Sequence, residues 1–317
     1  MPKRIFMTGA SGCIGHYIAE SLIQETEHEL FLLVRNPDKL KFDYQARPGV
    51  KLLIGDMQQI EQFAPLLKTM DQAILAATSW GGAGEVFEVN VRQTIALINY
   101  LDPKVCEQAI YFSTASILDR NNQPLVEAAQ VGTEYIQSKY ECYRRLGECA
   151  IAPKITTVFP TLVFGGNDRF PKSHITSGCS EVVRWINLIR FFRADGSFHF
   201  IHGKDIAQVI LYLIHHCPQV GEERNFVLGN DRLTVDRAVE EVCTYLRKRI
   251  YVRIPLSAWL TNFFIKAFRI QMGSWDRFSL HYRHFTHRTV INPASFGLVP
   301  YCAKLADLLC VIGIPPG

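Results

Sequence analysis

The chain has 317 residues, 48% hydrophobic and 20% charged, with a formal net charge of +4. That length suits a large α/β domain with a smaller lobe, and the composition excludes a disordered chain. Lys and Arg are scattered without a block of like charge, so no nucleic-acid partner is expected. In chain order, strand-like apolar runs fall at 4–8, 30–34, 51–54, 72–76, 109–113 and 155–159, with amphipathic helical stretches at 14–24, 60–68, 86–101 and 134–151. Strict alternation of the two predicts right-handed βαβ units and a doubly wound, Rossmann-type parallel sheet covered on both faces. The rhythm is lost after Gly165. Residues 166–198 are rich in Gly, Ser and Arg around one apolar helix near 180–192. A strand at 198–202, a helix at 204–217 and a strand at 225–229 then restore it, and 232–317 reads as helical with an aromatic middle. The expected division is a dinucleotide-binding domain at 1–165 plus about 198–230. Segments 166–197 and 231–317 would form a discontinuous substrate-binding lobe.

Nine cysteines, none in a Cys-x-x-Cys pair, are expected to be reduced and mostly buried thiols of a cytoplasmic protein, Cys106, Cys149 and Cys243 among them. The opening MPKRIFMTGA reads as strand and loop, which leaves no room for a signal peptide. The most apolar stretch, 255–270, is interrupted by Thr261, Asn262 and Lys266, so no integral membrane segment is expected. Core packing is the default for its aromatic spacing (Trp259, Phe263, Phe264, Phe268), with a pocket wall or a membrane-surface face as alternatives.

Directly after the first strand comes TGASGCIG. Glycines there turn the chain sharply, let backbone N–H groups approach a pyrophosphate, and let the next helix pack closely with its positive end toward the phosphates. The expected loop set is Gly9, Ser11, Gly12, Cys13, Ile14 and Gly15. An acid after the second strand would bind ribose hydroxyls, but this chain carries Arg35. An arginine favours a 2′-phosphate, so NADP(H) is preferred over NAD(H), unless Arg35 is simply a solvated strand-end residue. Asp56, followed by Met57, stands after the third strand either to meet the adenine amino group or to cap a helix. Small residues Ala76, Ala77 and Thr78 at the end of the fourth strand would let a cofactor lie flat.

Tyr135 and Lys139 stand four residues apart on one face of a predicted helix. An ammonium one turn from a phenol favours the phenolate, bringing the proton of a group with pKa about 10 within reach of neutral pH. The spacing alone is weak, since roughly half an occurrence is expected by chance. The other match, Tyr100 to Lys104, contains Pro103 and breaks as a helix. Context favours Tyr135, because YFSTAS (111–116) ends a strand in hydroxyls. Thr114 could hold a substrate carbonyl beside Tyr135, with Ser113 and Ser116 as alternatives and ordinary turn chemistry as the bland reading.

TGASGCIG, Asp56, Asn90 in VNVRQT, FSTAS, and Tyr135 with Lys139 together resemble the extended short-chain dehydrogenase/reductases, also called the NAD-dependent epimerase/dehydratase family. The resemblance continues through PTLVFG (160–165), FIHGKDIA (200–207), NFVLG (225–229), LTVDRAVEEV (233–242) and NPASFGL (292–298). It implies that Thr114 is the catalytic hydroxyl, Tyr135 the acid/base and Lys139 the ribose-binding, pKa-lowering lysine. It adds Asn90 to the cofactor set and places Pro160, Thr161 and Val163 near the nicotinamide. It also suggests a homodimer through the helices at 86–101 and 134–151. The chain departs from the family pattern at Ile117-Leu118-Asp119, Phe159 and Tyr143, and lacks an Arg-Pro-Gly-type motif in its tail.

The expected activity is hydride transfer between a nicotinamide cofactor and a carbonyl or secondary alcohol of a small-molecule substrate. Two alternatives are a nucleotide-sugar-type epimerase or dehydratase with tightly held NAD, and a non-catalytic NADP(H)-binding sensor or assembly factor. Arg184, Arg190 and Arg193 read as solvated charge or as anion-binding groups, and Asp205 as a helix-start residue.

Overall fold

Near-continuous apolar runs form the strands β1 (Arg4–Thr8), β2 (Glu29–Val34), β3 (Val50–Ile54), β4 (Gln72–Leu75), β5 (Gln108–Phe112) and β6 (Ile155–Pro160). With Asn225–Leu228 at one edge they make a seven-stranded sheet, ordered Asn225–Leu228, β6, β5, β4, β1, β2, β3. Every pairing is parallel. Strands buried on both faces need apolar residues at successive positions, and that is why the sequence reads as runs instead of alternation. The computed structural model describes residues 2–82, 84–219, 221–267, 269 and 271–317, without the side chains of Ala258, Phe263 and Phe264.

The helix α1 (Cys13–Glu25) follows β1 and lies against the helix Gly203–His215. Ile18, Leu22 and Ile23 of the first share one buried cluster with Ile206, Ile210 and Leu213 of the second. At about 1.5–3 kcal/mol for each fully buried aliphatic side chain, this contact holds α1 firmly behind the loop that precedes it. A second cluster covers the opposite sheet face, with Phe6, Leu67, Leu97 and Tyr111 at its centre. A third, containing Ile186, Phe200, Val239, Cys243 and Leu308, joins the helices His174–Ile189, Val235–Tyr245 and Leu305–Val311 beyond the sheet. Cys106, Cys149 and Cys243 are buried, as expected.

Several elements differ from expectation for identifiable reasons. The stretch 86–101 is not one regular helix: a widened π turn over Glu88–Gln93 separates Glu85–Phe87 from Thr94–Tyr100. Thr94 Oγ1 donates to the Val89 carbonyl five residues back at 2.9 Å, which satisfies the widened turn. At 60–68, tight 3-10 turns over Met57–Phe63 precede the short helix Ala64–Leu67. The helix from Glu134 ends at Arg145 and tightens into a 3-10 turn through Glu148. The lobe helix starts earlier than expected, at His174, because Ser173 caps it by accepting from Thr176 N at 3.1 Å. FHFIH splits at His199 into Ser197–Phe198 and Phe200–His202, which join different small sheets.

Asp205 does not start its helix. His202 caps it, accepting from Lys204 N at 3.1 Å, while the buried Asp205 carboxylate accepts from Tyr301 N at 2.6 Å and Cys302 N at 3.1 Å. Asp205 therefore ties the distal chain to the sheet domain. The arginines considered as anion ligands are engaged: Arg184 with Glu181, Arg190 with the Arg249 carbonyl, and Arg193 with Asp236. In the helix Ala258–Ala267, Trp259 is exposed, against the core expectation, and Phe268 lies outside the described residues. Among the described residues no helix is long and apolar enough to cross a membrane.

Candidate active site

The strand order reverses between β1 and β4, and the crevice at their C-terminal ends is where such sheets bind ligands. Gly9 turns there with φ of +80°, and a Cβ on it would lie 2.5 Å from the Ala76 carbonyl carbon. A Cβ on Gly15 would overlap the Gly9 carbonyl oxygen. Both glycines are thus required by the loop's own packing. Gly12 is different. It is exposed at the start of α1, and a Cβ there would meet only the Gly9 oxygen, at 3.4 Å. No side chain caps α1 at this end, so the first-turn N–H groups of Cys13 and Ile14 have no side-chain partner. A glycine that the protein does not itself need, at an uncapped helix start, fits a phosphate-binding cradle.

The other candidate cofactor residues divide by what they touch. Ser11, Ala76, Ala77 and Thr78 are half-buried around this loop, and Ala77 N donates to Thr8 Oγ1 at 3.2 Å. Cys13 is half-buried and its thiol is pushed up to about 12 by burial, so it stays neutral. Asp56 caps the turn after β3 through Gln58 N at 2.9 Å and also faces Arg35 at 3.5 Å. The Met57 side chain packs into the core beneath the sheet. Pro160 ends β6, Thr161 donates to the Leu228 carbonyl at 2.8 Å, and Val163 packs on the cluster around α1. Asn90 is fully buried and spends its amide on protein: it accepts from Thr78 and Ser79 N, and donates to the Ser79 carbonyl and Ser138 Oγ at 2.8–3.0 Å. It braces the β4 loop against the helix of Tyr135, made possible by the π turn that points it inward.

Thr114, Tyr135 and Lys139 converge at the end of β5. Thr133 caps the helix Glu134–Arg145 through Ile136 N and so fixes the entry of Tyr135. The Tyr135 phenol is hydrogen-bonded to Thr114. Thr114 also accepts from Ser116 N at 3.3 Å, while Ser113 Oγ is buried without a hydrogen-bond partner among the described residues. Lys139 is 2% exposed; its Nζ donates to the Phe112 carbonyl at 2.8 Å and lies 5.9 Å from the Tyr135 ring centre. Burial pushes the Tyr135 phenol up, opposed only by the Thr114 hydrogen bond, and pushes Lys139 down to about 8. This reverses the expected lowering of Tyr135 by Lys139. The phenol is partly exposed by area but densely surrounded, and desolvation is the dominant cause of its shift. Burial thus favours the protonated phenol.

Sequence reasoning missed one residue. Trp80 stacks on Tyr135, ring centres 3.9 Å apart and 16° from parallel, and its other neighbour is His174 at 4.9 Å. Its only signal was an aromatic residue among glycines (SWGGAG) directly after the small residues that end β4.

Lys139 sets a pH dependence. Its ammonium is the charged form below about 8 and is lost as pH rises through that value. Any turnover that needs this ammonium is therefore expected to fall above pH about 8. Because a guanidinium stays protonated throughout, Lys139→Arg should move this limb to higher pH. A pH profile of both proteins checks it, and an unmoved limb would assign the titration elsewhere.

No curated protein matches the chain in sequence. Solved structures do match its fold. The protein named gox2253 is 18% identical with a TM-score of 0.69, and the match covers 99% of each chain. WbmG of Bordetella bronchiseptica, solved in complex with NAD, is 13% identical with a TM-score of 0.64, covering 98% of this chain and 93% of its own. The dTDP-glucose 4,6-dehydratase of Bacillus anthracis, also in complex with NAD, is 13% identical with a TM-score of 0.62, covering 98% and 96%. The family model described as NAD dependent epimerase/dehydratase matches residues 5–229. With the glycine loop, the β5 hydroxyls and the Tyr135–Lys139 helix all inside that span, the chain belongs to the NAD-dependent epimerase/dehydratase family.

Proposed function

We propose that the protein interconverts a carbonyl compound and its secondary or primary alcohol, with NADP(H) as the preferred hydride partner. The convergence of Thr114, Tyr135 and Lys139 at the end of β5, beside the glycine loop, carries this reading. Gly12, Cys13 and Ile14 would hold the pyrophosphate and Lys139 the ribose. When bound, the dinucleotide supplies or accepts the hydride at the carbonyl carbon. Thr114 orients the carbonyl oxygen and Tyr135 delivers the proton that this oxygen gains on reduction. The protonated phenol favoured by burial suits the reducing direction.

Arg35 is exposed at the end of β2, where the Asp56 carboxylate faces it at 3.5 Å. A 2′-phosphate there would gain a charge-assisted hydrogen bond. Arg35→Ala is expected to lower the NADPH-over-NADH preference in kcat/KM by about tenfold. An unchanged ratio would remove Arg35 from cofactor selection.

A second reading is favoured by one observation: similar structures include a dehydratase and WbmG, both in complex with NAD. An epimerase or dehydratase would retain NAD and return the hydride to its substrate. The two readings separate when freshly purified protein is denatured and its released nucleotide identified, followed by assay of NADPH consumption on carbonyl compounds. Nucleotide-free protein that consumes NADPH supports the reductase; retained NAD without net consumption supports the epimerase or dehydratase. A purely nucleotide-sensing role accounts poorly for the intact Thr114, Tyr135 and Lys139.

A further inference from the structure

The feature of the site that hydride chemistry alone leaves unused is Trp80. The residue before it is tied to Asn90: Ser79 N donates to Asn90 Oδ1 at 2.8 Å, and the Ser79 carbonyl accepts from Asn90 Nδ2 at 2.9 Å. Beyond it, Gly82 and Gly84 take positive φ angles of 113° and 76°. The ring lies flat on Tyr135 and reaches His174 at the start of the lobe helix, yet remains 56% exposed. A large indole left this open, with one face on the reacting phenol, offers an apolar surface at the point where a substrate must arrive.

From this arrangement we infer that Trp80 is the specificity-determining wall of the substrate site, selecting flat, apolar carbonyl compounds such as aryl aldehydes and ketones. This rests on the hydride-transfer reading and names its substrate class. Stacked on the Tyr135 ring and open on its other side, the indole would flank the substituent of a carbonyl whose oxygen reaches Thr114 and Tyr135. A planar ring stacks there, as aromatic pairs do at offset centre distances, whereas a puckered ring of the same size cannot lie flush.

The test uses benzaldehyde and cyclohexanecarbaldehyde, matched in size but flat and puckered, with NADPH. The benzaldehyde-over-cyclohexanecarbaldehyde ratio of kcat/KM is expected to fall by about three- to tenfold in Trp80→Leu, and to stay within about twofold of wild type in Trp80→Phe. Intrinsic reactivity cancels in comparing the ratios, and a merely structural defect would lower both substrates together. An unchanged ratio in Trp80→Leu overturns the inference. Should wild type turn over neither aldehyde, the same ratio is read from calorimetric binding of benzyl alcohol and cyclohexylmethanol in the presence of NADP+, with the same criterion. Failure of the underlying reading looks different: turnover would then persist in full in Tyr135→Phe, whatever the Trp80 variants do.

Discussion

Tyr135→Phe is expected to lower kcat for carbonyl reduction by about 10²–10⁴-fold, the usual worth of a positioned general acid. The substitution removes one hydroxyl and keeps the ring that Trp80 covers, so the shape of the site survives. Thr114 loses one partner but still accepts from Ser116 N, which limits the cost to about 0.5–1.5 kcal/mol of stability. Dinucleotide affinity should hardly change, because the glycine loop and Lys139 are untouched. The measurement is steady-state kinetics paired with NADPH binding on the same preparation. Near-normal kcat would show that another group delivers the proton, with Ser113 and its buried hydroxyl the first to examine.

The glycine loop gives the second large effect, and here two neighbouring substitutions should separate. Gly15→Ala drives a methyl group into the Gly9 carbonyl, a backbone atom that cannot swing aside. Overpacking of this kind costs about 1–3 kcal/mol, seen as a lower denaturant midpoint, and it distorts the phosphate cradle as well. Gly12→Ala adds a methyl group that meets the protein only at 3.4 Å. Its unfolding free energy should stay within about 0.5 kcal/mol of wild type. NADPH affinity should nevertheless fall by about tenfold or more, since the methyl occupies the space a pyrophosphate needs. Equal stability and equal affinity in Gly12→Ala would remove the phosphate role from this glycine.

The sheet was legible because both of its signals are local. A strand buried on two faces needs successive apolar residues, so ELFLLV and QAIYF mark β2 and β5 to within a residue. The glycine loop and the Tyr135–Lys139 pair were legible for the same reason, each being a short pattern with a fixed geometry. What escaped depends on contacts across the chain. The bonds of Asn90 to Ser79 and Ser138, made beside the π turn closed by Thr94, are of this kind. Asp205 looked like a cap until the distal backbone at Tyr301 and Cys302 claimed its carboxylate. The sign of the Tyr135 shift escaped too, because spacing shows that an ammonium is near but not how much water both groups lose. For Trp80 the glycines around it were too weak a signal, because only the folded chain brings residue 80 onto residue 135.

The most direct test is calorimetric titration of nucleotide-stripped protein with NADPH and then with NADH. Saturable one-to-one binding is predicted, tighter for NADPH and weakened in Gly12→Ala with its fold intact. No binding of either dinucleotide, or binding indifferent to Gly12, would contradict a nicotinamide-dependent site at the end of β1.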